Sequence, residues 1–288
     1  MSRAIVVGVD GSPSAGSALG WAADDASCRG LPLRIVLVRE PWAAEHPPTA
    51  ASDRQTLTER CTYLVDNAAD QVRRLIPNLE VSTAVVTGAV IERLKSESET
   101  ADSVVVGSRG LGGFAGLVLG SVGLGLAGHA HSPVVIVRMP VPGSHGEIVV
   151  GFDGSPFAES ALDYALEQAK ARRMPVRVVY AQRTPMLTPH PAGYGPLLTG
   201  TLGDEAAEIR LRLAPWHEKY PDVEVIESTV PGHPVPVLVR ASETAALVVV
   251  GSRGLGGFAS AALGSVSHGV LHRARCPVAV VPTSWRRS

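Results

Sequence analysis

The stretch "VVVGSRGLGGFAGLVLGSV" occupies Val104–Val122, and "VVVGSRGLGGFASAALGSV" occupies Val248–Val266. Each opens as a run of β-branched apolar residues, the pattern of a strand buried on both faces. Each then breaks into clustered glycines and ends at Gly-Ser-Val, where a helical stretch begins. Glycine loses more conformational freedom on ordering than any other residue, so a glycine-rich loop present in duplicate needs a physical reason.

The duplication reaches well beyond the loop. "IVVGVDGSPSAGSALGWAADDASCRG" (Ile5–Gly30) recurs as "IVVGFDGSPFAESALDYALEQAKARR" (Ile148–Arg173), and "LPLRIVLVREP" (Leu31–Pro41) recurs as "MPVRVVYAQRTP" (Met174–Pro185). "SPVVIV" (Ser132–Val137) recurs as "CPVAVV" (Cys276–Val281). The period is half of the 288-residue chain, which makes the halves tandem domains rather than solenoid repeats. Residues 1–139 form the first domain and 147–288 the second, joined by the Pro- and Gly-rich linker 140–146.

In the first half the strands are expected at Ala4–Val9, Leu33–Val38, Val81–Thr87, Ser103–Gly107 and Val134–Val137. Helices are expected between them at Pro13–Arg29, about Asp53–Leu75, Val90–Glu99 and Ser121–His129. Ser12-Pro13 and Ser155-Pro156 read as an N-cap followed by proline in the first helical turn. This strict alternation predicts an α/β fold, a parallel sheet covered by helices on both faces, built twice. Glu40–Ser52 and Arg183–Gly203 read as variable inserts after the second strand of each half.

Charged residues make up 18% and the net charge is −1, so no basic surplus points to nucleic acid or an anionic membrane. Cys28, Cys61 and Cys276 are odd in number and lack CxxC spacing. A reducing cytoplasm therefore fits better than a disulfide framework or zinc ribbon. Gly110–Gly128 carries no charged residue and imitates a membrane span. Its glycines, and His268, His272 and Arg273 in the second copy, fit a loop and short helix instead. A soluble protein is expected.

On a doubly wound sheet, ligands bind at the carboxyl ends of the strands, where the strand order reverses. Two loops per domain belong there: "GVDGS" with Asp10, or "GFDGS" with Asp153, and the glycine-rich loop after the fourth strand. Gly107-Ser108-Arg109-Gly110 can turn backbone N–H groups toward an anion, and Leu111, Gly112 and Gly113 continue the close approach. Gly120-Ser121-Val122 then opens a helix whose free N–H groups favour phosphate, with Ser121 adding a hydroxyl and Arg109 a charge. The same parts recur as Gly251, Ser252, Arg253, Gly254, Leu255, Gly256, Gly257, Gly264, Ser265 and Val266. No lysine stands in either loop, which argues against a P-loop, and "GVDGSPSAG" lacks the dinucleotide fingerprint.

The arrangement resembles the universal stress protein family, in its tandem-domain, ATP-binding branch, which carries G-x2-G-x9-G-[ST] after the fourth strand. Gly107, Gly110, Gly120 and Ser121 match, as do Gly251, Gly254, Gly264 and Ser265. The resemblance implies two doubly wound domains, each a five-stranded parallel sheet in the order 3-2-1-4-5. It also implies one ATP per domain. By position, Asp10 and Asp153 fall near the adenosine, and Gly8, Gly151, Val38 and Ala181 line the base. The glycine loops with Ser121 and Ser265 hold ribose and phosphates. Mg can accompany the phosphates, but no carboxylate pair marks a dedicated metal cage. Pairing through the last strand, Val134–Val137 or Val278–Val281, joins domains or chains, and a homodimer is expected.

Several residues carry a second reading. Asp10 also suits a plain turn beside Ser12. Ser267 adds a hydroxyl where the first domain has Gly123, and Gly125 and Gly128 soften the first domain's helix, at up to about 1 kcal/mol each. The second site is therefore expected to be the tighter. His268 and His272 have the spacing of a zinc pair but read better as a surface helix face. Cys276 aligns with Ser132, a small residue at a strand entrance. With no base shared between the loops, no catalytic residue is assigned. Nucleotide-gated binding to a protein partner is favoured over slow ATP hydrolysis or a nucleotide-free interaction module.

Overall fold

The computed structural model describes residues 3–40, 51–110, 119–138, 146–182, 209–255 and 262–285. The first half runs β1 (Ile5–Gly8), α1 (Pro13–Arg29), β2 (Leu33–Arg39), α2 (Ala51–Leu75), β3 (Val81–Thr87), α3 (Val90–Glu97), β4 (Ser103–Gly107), α4 (Ser121–His129) and β5 (Val134–Val137). The second runs β6 (Glu147–Gly151), α5 (Pro156–Arg172), β7 (Val176–Gln182), α6 (209–219), β8 (Val225–Pro231), α7 (Pro234–Ala241), β9 (Ala245–Gly251), α8 (Ser265–Arg273) and β10 (Val278–Val281). Expected and observed elements of the first half agree, with ends shifted by a residue or two. Most of both expected inserts, most of the linker and the middle of each glycine loop (111–118 and 256–261) lie outside the described residues.

Local chemistry sets the helix ends. The Ser12 hydroxyl accepts from the Ala15 N–H at 3.2 Å and the Ser155 hydroxyl from the Ala158 N–H at 3.2 Å, capping α1 and α5 with proline in the first turn. Both helices stop at a left-handed residue, Gly30 (φ 61°) and Arg173 (φ 54°). Glycine adopts this conformation freely, whereas arginine carries a Cβ into it at a steric cost.

Within each half the strands are parallel, in the orders β3-β2-β1-β4-β5 and β8-β7-β6-β9-β10, which are both 3-2-1-4-5. Alternate strand residues feed two cores. Ile5 and Val7 belong to the core that includes α1, α2, α5 and α6, while Val6 belongs to the one that includes α3, α4, α7 and α8. Both sheet faces are thus covered, and the near-continuous Val/Ile runs follow from that double burial.

The halves share one sheet. β5 pairs antiparallel with β10, Val134 opposite Val280 and Ile136 opposite Val278, giving ten continuous strands. The last-strand edge is therefore satisfied inside the chain. Val135 and Val137 of β5 join Ala279 and Val281 of β10 in one buried cluster, so parting the halves would expose apolar surface at about 25 cal/mol per Å². Because the joint is antiparallel, the strands of the two halves point in opposite directions. The uncharged Gly110–Gly128 stretch yields α4, a nine-residue helix, and no described helix is long and apolar enough to cross a membrane.

Candidate functional site

In each half the tip of the first strand meets the start of the glycine loop. Asp10 Oδ1 accepts from the Ser12 N–H at 2.9 Å, and Asp153 Oδ1 from the Ser155 N–H at 3.0 Å. The turn reading of these aspartates is therefore satisfied in both domains. It accounts for only one oxygen. A Cβ built on Gly110 would lie 2.7 Å from Asp10 Oδ2, and one on Gly254 would lie 2.5 Å from Asp153 Oδ2. Asp153 Oδ2 accepts from the Leu255 N–H at 3.1 Å. The Asp153 carboxylate thus ties two strand tips together, the Asp10 carboxylate lies as close to its loop, and only glycine allows that approach. Gly11 (φ 85°) and Gly154 (φ 76°), next in sequence, bend the chain in the left-handed region to bring this about.

The loop root is fixed by the backbone. Ser108 N–H donates to Val137 O and Gly120 N–H to Ser108 O, each at 2.8 Å. Ser252 N–H donates to Val281 O and Gly264 N–H to Ser252 O at the same distance. These bonds hold the N-termini of α4 and α8 against the ends of β4 and β9. Gly120 and Gly264 are the N-caps, and neither helix has a side-chain cap bond. First-turn N–H groups left by a glycine cap favour an anion. Ser121 and Ser265 stand exposed at these ends, next to half-buried Val122 and Val266.

At several of the glycines expected at the site, the direction a Cβ would take is filled by the protein. A Cβ on Gly107 would sit 2.5 Å from Ser14 Oγ and 2.7 Å from the Ser14 carbonyl carbon, and one on Gly251 would sit 2.7 Å from Phe157 O. These two let α1 and α5 pack onto the strand ends. Gly8 and Gly151, expected to line a base, lie against Leu94 (3.2 Å) and Leu238 (2.9 Å) by the same measure. Ser108 and Ser252 are buried, at 5% and 7% exposure, so their hydroxyls do not line an open mouth. Val38 and Ala181 are half-buried, one residue before the ends of β2 and β7 and two beyond the partners of Gly8 and Gly151. Leu111, Gly112, Gly113, Gly256 and Gly257 lie outside the described residues.

Ser267 requires a correction. Its hydroxyl, expected to meet phosphate, donates to Gly251 O at 2.6 Å and is 2% exposed. It braces α8 against the end of β9, so the tighter binding expected of the second site has no basis in that residue. In the first domain the same space is filled from the other side. A Cβ on Gly123 would lie 3.2 Å from Ile136 Cδ1, whereas the residue aligned with Ile136 is the smaller Val280. Gly125 does not distinguish the halves either. It and its counterpart Gly269 allow close packing on Ile91 and Val235, with a Cβ at 2.7 Å and 2.8 Å.

The two mouths differ in their walls. In the first, Ser14 Oγ accepts from the Arg109 N–H at 3.2 Å, and Arg109 is exposed. In the second, Phe157 replaces Ser14, and Arg253 lies over its ring at 5.6 Å. The sequence showed this exchange, but only the contact gives it meaning. The His268 and His272 rings lie tilted at 41° with centroids 4.5 Å apart, and burial holds His272 below the ordinary imidazole range. Among the described residues no three His, Cys, Asp or Glu side chains gather as a metal site.

The whole chain has known relatives. The family model described as "Universal stress protein family" matches residues 1–138 and 145–282. A universal stress protein of Mycobacterium tuberculosis is 36% identical over 301 residues, covering 96% of this chain and 94% of the relative. A second from the same organism is 36% identical over 296 residues, covering 98% and 97%. A crystal structure of a universal stress protein from Archaeoglobus fulgidus superposes with a TM-score of 0.72 at 22% identity, covering 98% of this chain and 99% of that one, a likeness of fold.

Proposed function

Because the chain belongs to the universal stress protein family, we propose that each domain binds ATP at its glycine loop and that the protein works as a nucleotide-dependent binding protein in a stress or growth response. The observation that carries this reading is the same convergence in both halves. An aspartate at the β1 or β6 tip lies against Gly110 or Gly254, beside a helix N-terminus with a glycine cap. Ribose hydroxyls suit the carboxylate, and phosphates suit the helix amides with Arg109 or Arg253 alongside. Mg would arrive with the phosphates, since three carboxylates do not gather here among the described residues.

Binding rather than hydrolysis is favoured by the commitments of the repeated acids. Asp10 and Asp153 are the acids that the two mouths share; each accepts a backbone amide on Oδ1, and Asp153 accepts a second on Oδ2. These bonds draw on the lone pairs that a base for water would use. The cytoplasm remains the compartment that three unpaired thiols suit. With β5 and β10 used inside the chain, a homodimer has the outer strands β3 and β8 as its open sheet edges.

The test is nucleotide stoichiometry in the intact chain. Native mass spectrometry and titration calorimetry should show two ATP per chain. Gly110→Val and Gly254→Val, which push against a carboxylate rather than the core, should each remove one, with circular dichroism unchanged. Stoichiometry unaffected by both variants would overturn the reading. Phosphate release that Asp10→Asn and Asp153→Asn abolish would establish the ATPase alternative.

A further inference from the structure

Behind the sheet, away from both mouths, α1 and α5 meet across the joint in a buried polar cluster. Gln168 Nε2 donates to Asp25 Oδ2 at 3.2 Å, and both residues are fully buried. Arg172 reaches Asp25 Oδ1 at 3.1 Å and Asp24 at 2.6 Å, and Arg29 reaches Asp102 at 2.6 Å, Asp25 at 3.4 Å and Glu167 at 3.7 Å. Arg29 lies over the Tyr164 ring at 5.9 Å, and Arg172 lies over the Trp21 ring at 5.1 Å.

The internal repeat gives these contacts a symmetry. Ile5–Gly30 aligns with Ile148–Arg173, so Trp21 corresponds to Tyr164, Asp24 to Glu167, Asp25 to Gln168 and Arg29 to Arg172. Each arginine therefore stacks on the other domain's aromatic and pairs with its acid, as the two sides of an isologous interface do. Asp25 and Gln168 are corresponding positions that touch each other, which places them on the pseudo-twofold axis. Among the α1 and α5 positions of the cluster the others are chemically alike, and this pair alone differs, a carboxylate against an amide; outside these helices, Asp102 aligns with Ala246.

That difference decides which domains can pair. Two N-terminal domains joined this way would set Asp25 against a second Asp25, two buried carboxylates on one axis without the amide donor that Gln168 supplies. The cluster is already short of positive charge, with two guanidinium groups for Asp24, Asp25, Asp102 and Glu167. We propose that the Asp25–Gln168 pair is a pairing code, which lets the N-terminal domain dock on the chain's own C-terminal domain and refuses a second N-terminal domain. Two C-terminal domains would face amide to amide and are not refused. Because every chain carries one domain of each kind, refusing one homotypic pair leaves the heterotypic joint as the arrangement that satisfies both. Burial pushes the Asp25 carboxyl above its ordinary range even with both arginines present, in keeping with an axis that tolerates one carboxylate.

The full-length chain can be made to carry the forbidden axis. Gln168→Glu sets two carboxylates there, as an N–N pair would. Hydrogen exchange at the β5 and β10 amides should then quicken about tenfold or more, while β1 and β2 hold their protection. Asp25→Asn/Gln168→Glu restores one carboxylate and one amide in the reverse order, and exchange should return to within about twofold of wild type. Gln168→Leu removes the hydrogen bond without adding charge and should quicken exchange less than Gln168→Glu. If Gln168→Glu does not accumulate as folded protein, recovery of the double variant at wild-type yield makes the same point. No rescue by the double variant, or equal effects of Glu and Leu at 168, would overturn the proposal.

Discussion

The exchange between Gly123 with Ile136 and Ser267 with Val280 makes a quantitative prediction. Gly123→Ser alone puts a Cβ 3.2 Å from Ile136 Cδ1 and 3.7 Å from a Leu119 methyl, in a buried site. Overpacking of this kind costs about 1–3 kcal/mol. Against it stand about 0.5 kcal/mol of helix propensity and about 1 kcal/mol for a hydroxyl bond to the Gly107 carbonyl, copying that of Ser267 to Gly251. The single change should thus be neutral or destabilising by up to about 1.5 kcal/mol. Ile136→Val alone should cost about 0.5–1.5 kcal/mol. Together they should cost less than their sum by about 1–2 kcal/mol, since the shorter valine side chain makes room for the serine. Urea denaturation of the four proteins, followed by hydrogen exchange in α4, measures the coupling. Strict additivity would mean that Ile136 does not fill the serine's place and would refute the reasoning.

Other outcomes follow from equally local geometry. Gly107→Ala forces a Cβ to within 2.7 Å of the Ser14 backbone, so it should destabilise by about 3 kcal/mol or more. A melting temperature within a few degrees of wild type would contradict that contact. Arg173→Gly should raise stability by about 0.5 kcal/mol, seen as a higher urea midpoint, as relief of about 1–2 kcal/mol of left-handed strain exceeds glycine's entropic cost of about 0.5–1. Burial pushes the Cys276 thiol up to about 12, which leaves little thiolate at pH 8. It should resist thiol reagents until the chain is unfolded, whereas exposed Cys28 reacts in the native state. Trp285 packs edge-on against Tyr164 with centroids 5.2 Å apart and is 3% exposed. Trp285→Ala should cost about 3–5 kcal/mol in denaturant titration.

What could be read in advance was what depends on local pattern. The Val/Ile runs, the Ser-Pro caps and the duplicated Gly-Ser-Val fix strands, helix starts and the repeat, because burial on two faces and capping chemistry act over a few residues. Which way each glycine faces was not legible, since Gly107 and Gly110 share one loop but answer to Ser14 and Asp10, both far away in sequence. Ser267 misled for the same reason. A hydroxyl at a helix start suits phosphate or a neighbouring carbonyl, and only the packing of α8 on β9 decides between them. The Asp25–Gln168 contact was hidden although the repeat aligns the two positions, because alignment says that residues correspond and not that they touch.

The antiparallel seam between β5 and β10 has a geographical consequence. Since strands on either side of it run in opposite senses, their carboxyl ends emerge on opposite rims of the sheet, and the Asp10 and Asp153 mouths emerge with them. A partner resting on one rim covers one mouth and leaves the other open to solvent. The molecule is thus a two-ended body, with exposed Arg109 at one port and Arg253 over Phe157 at the other, and each end can be read separately by whatever approaches it.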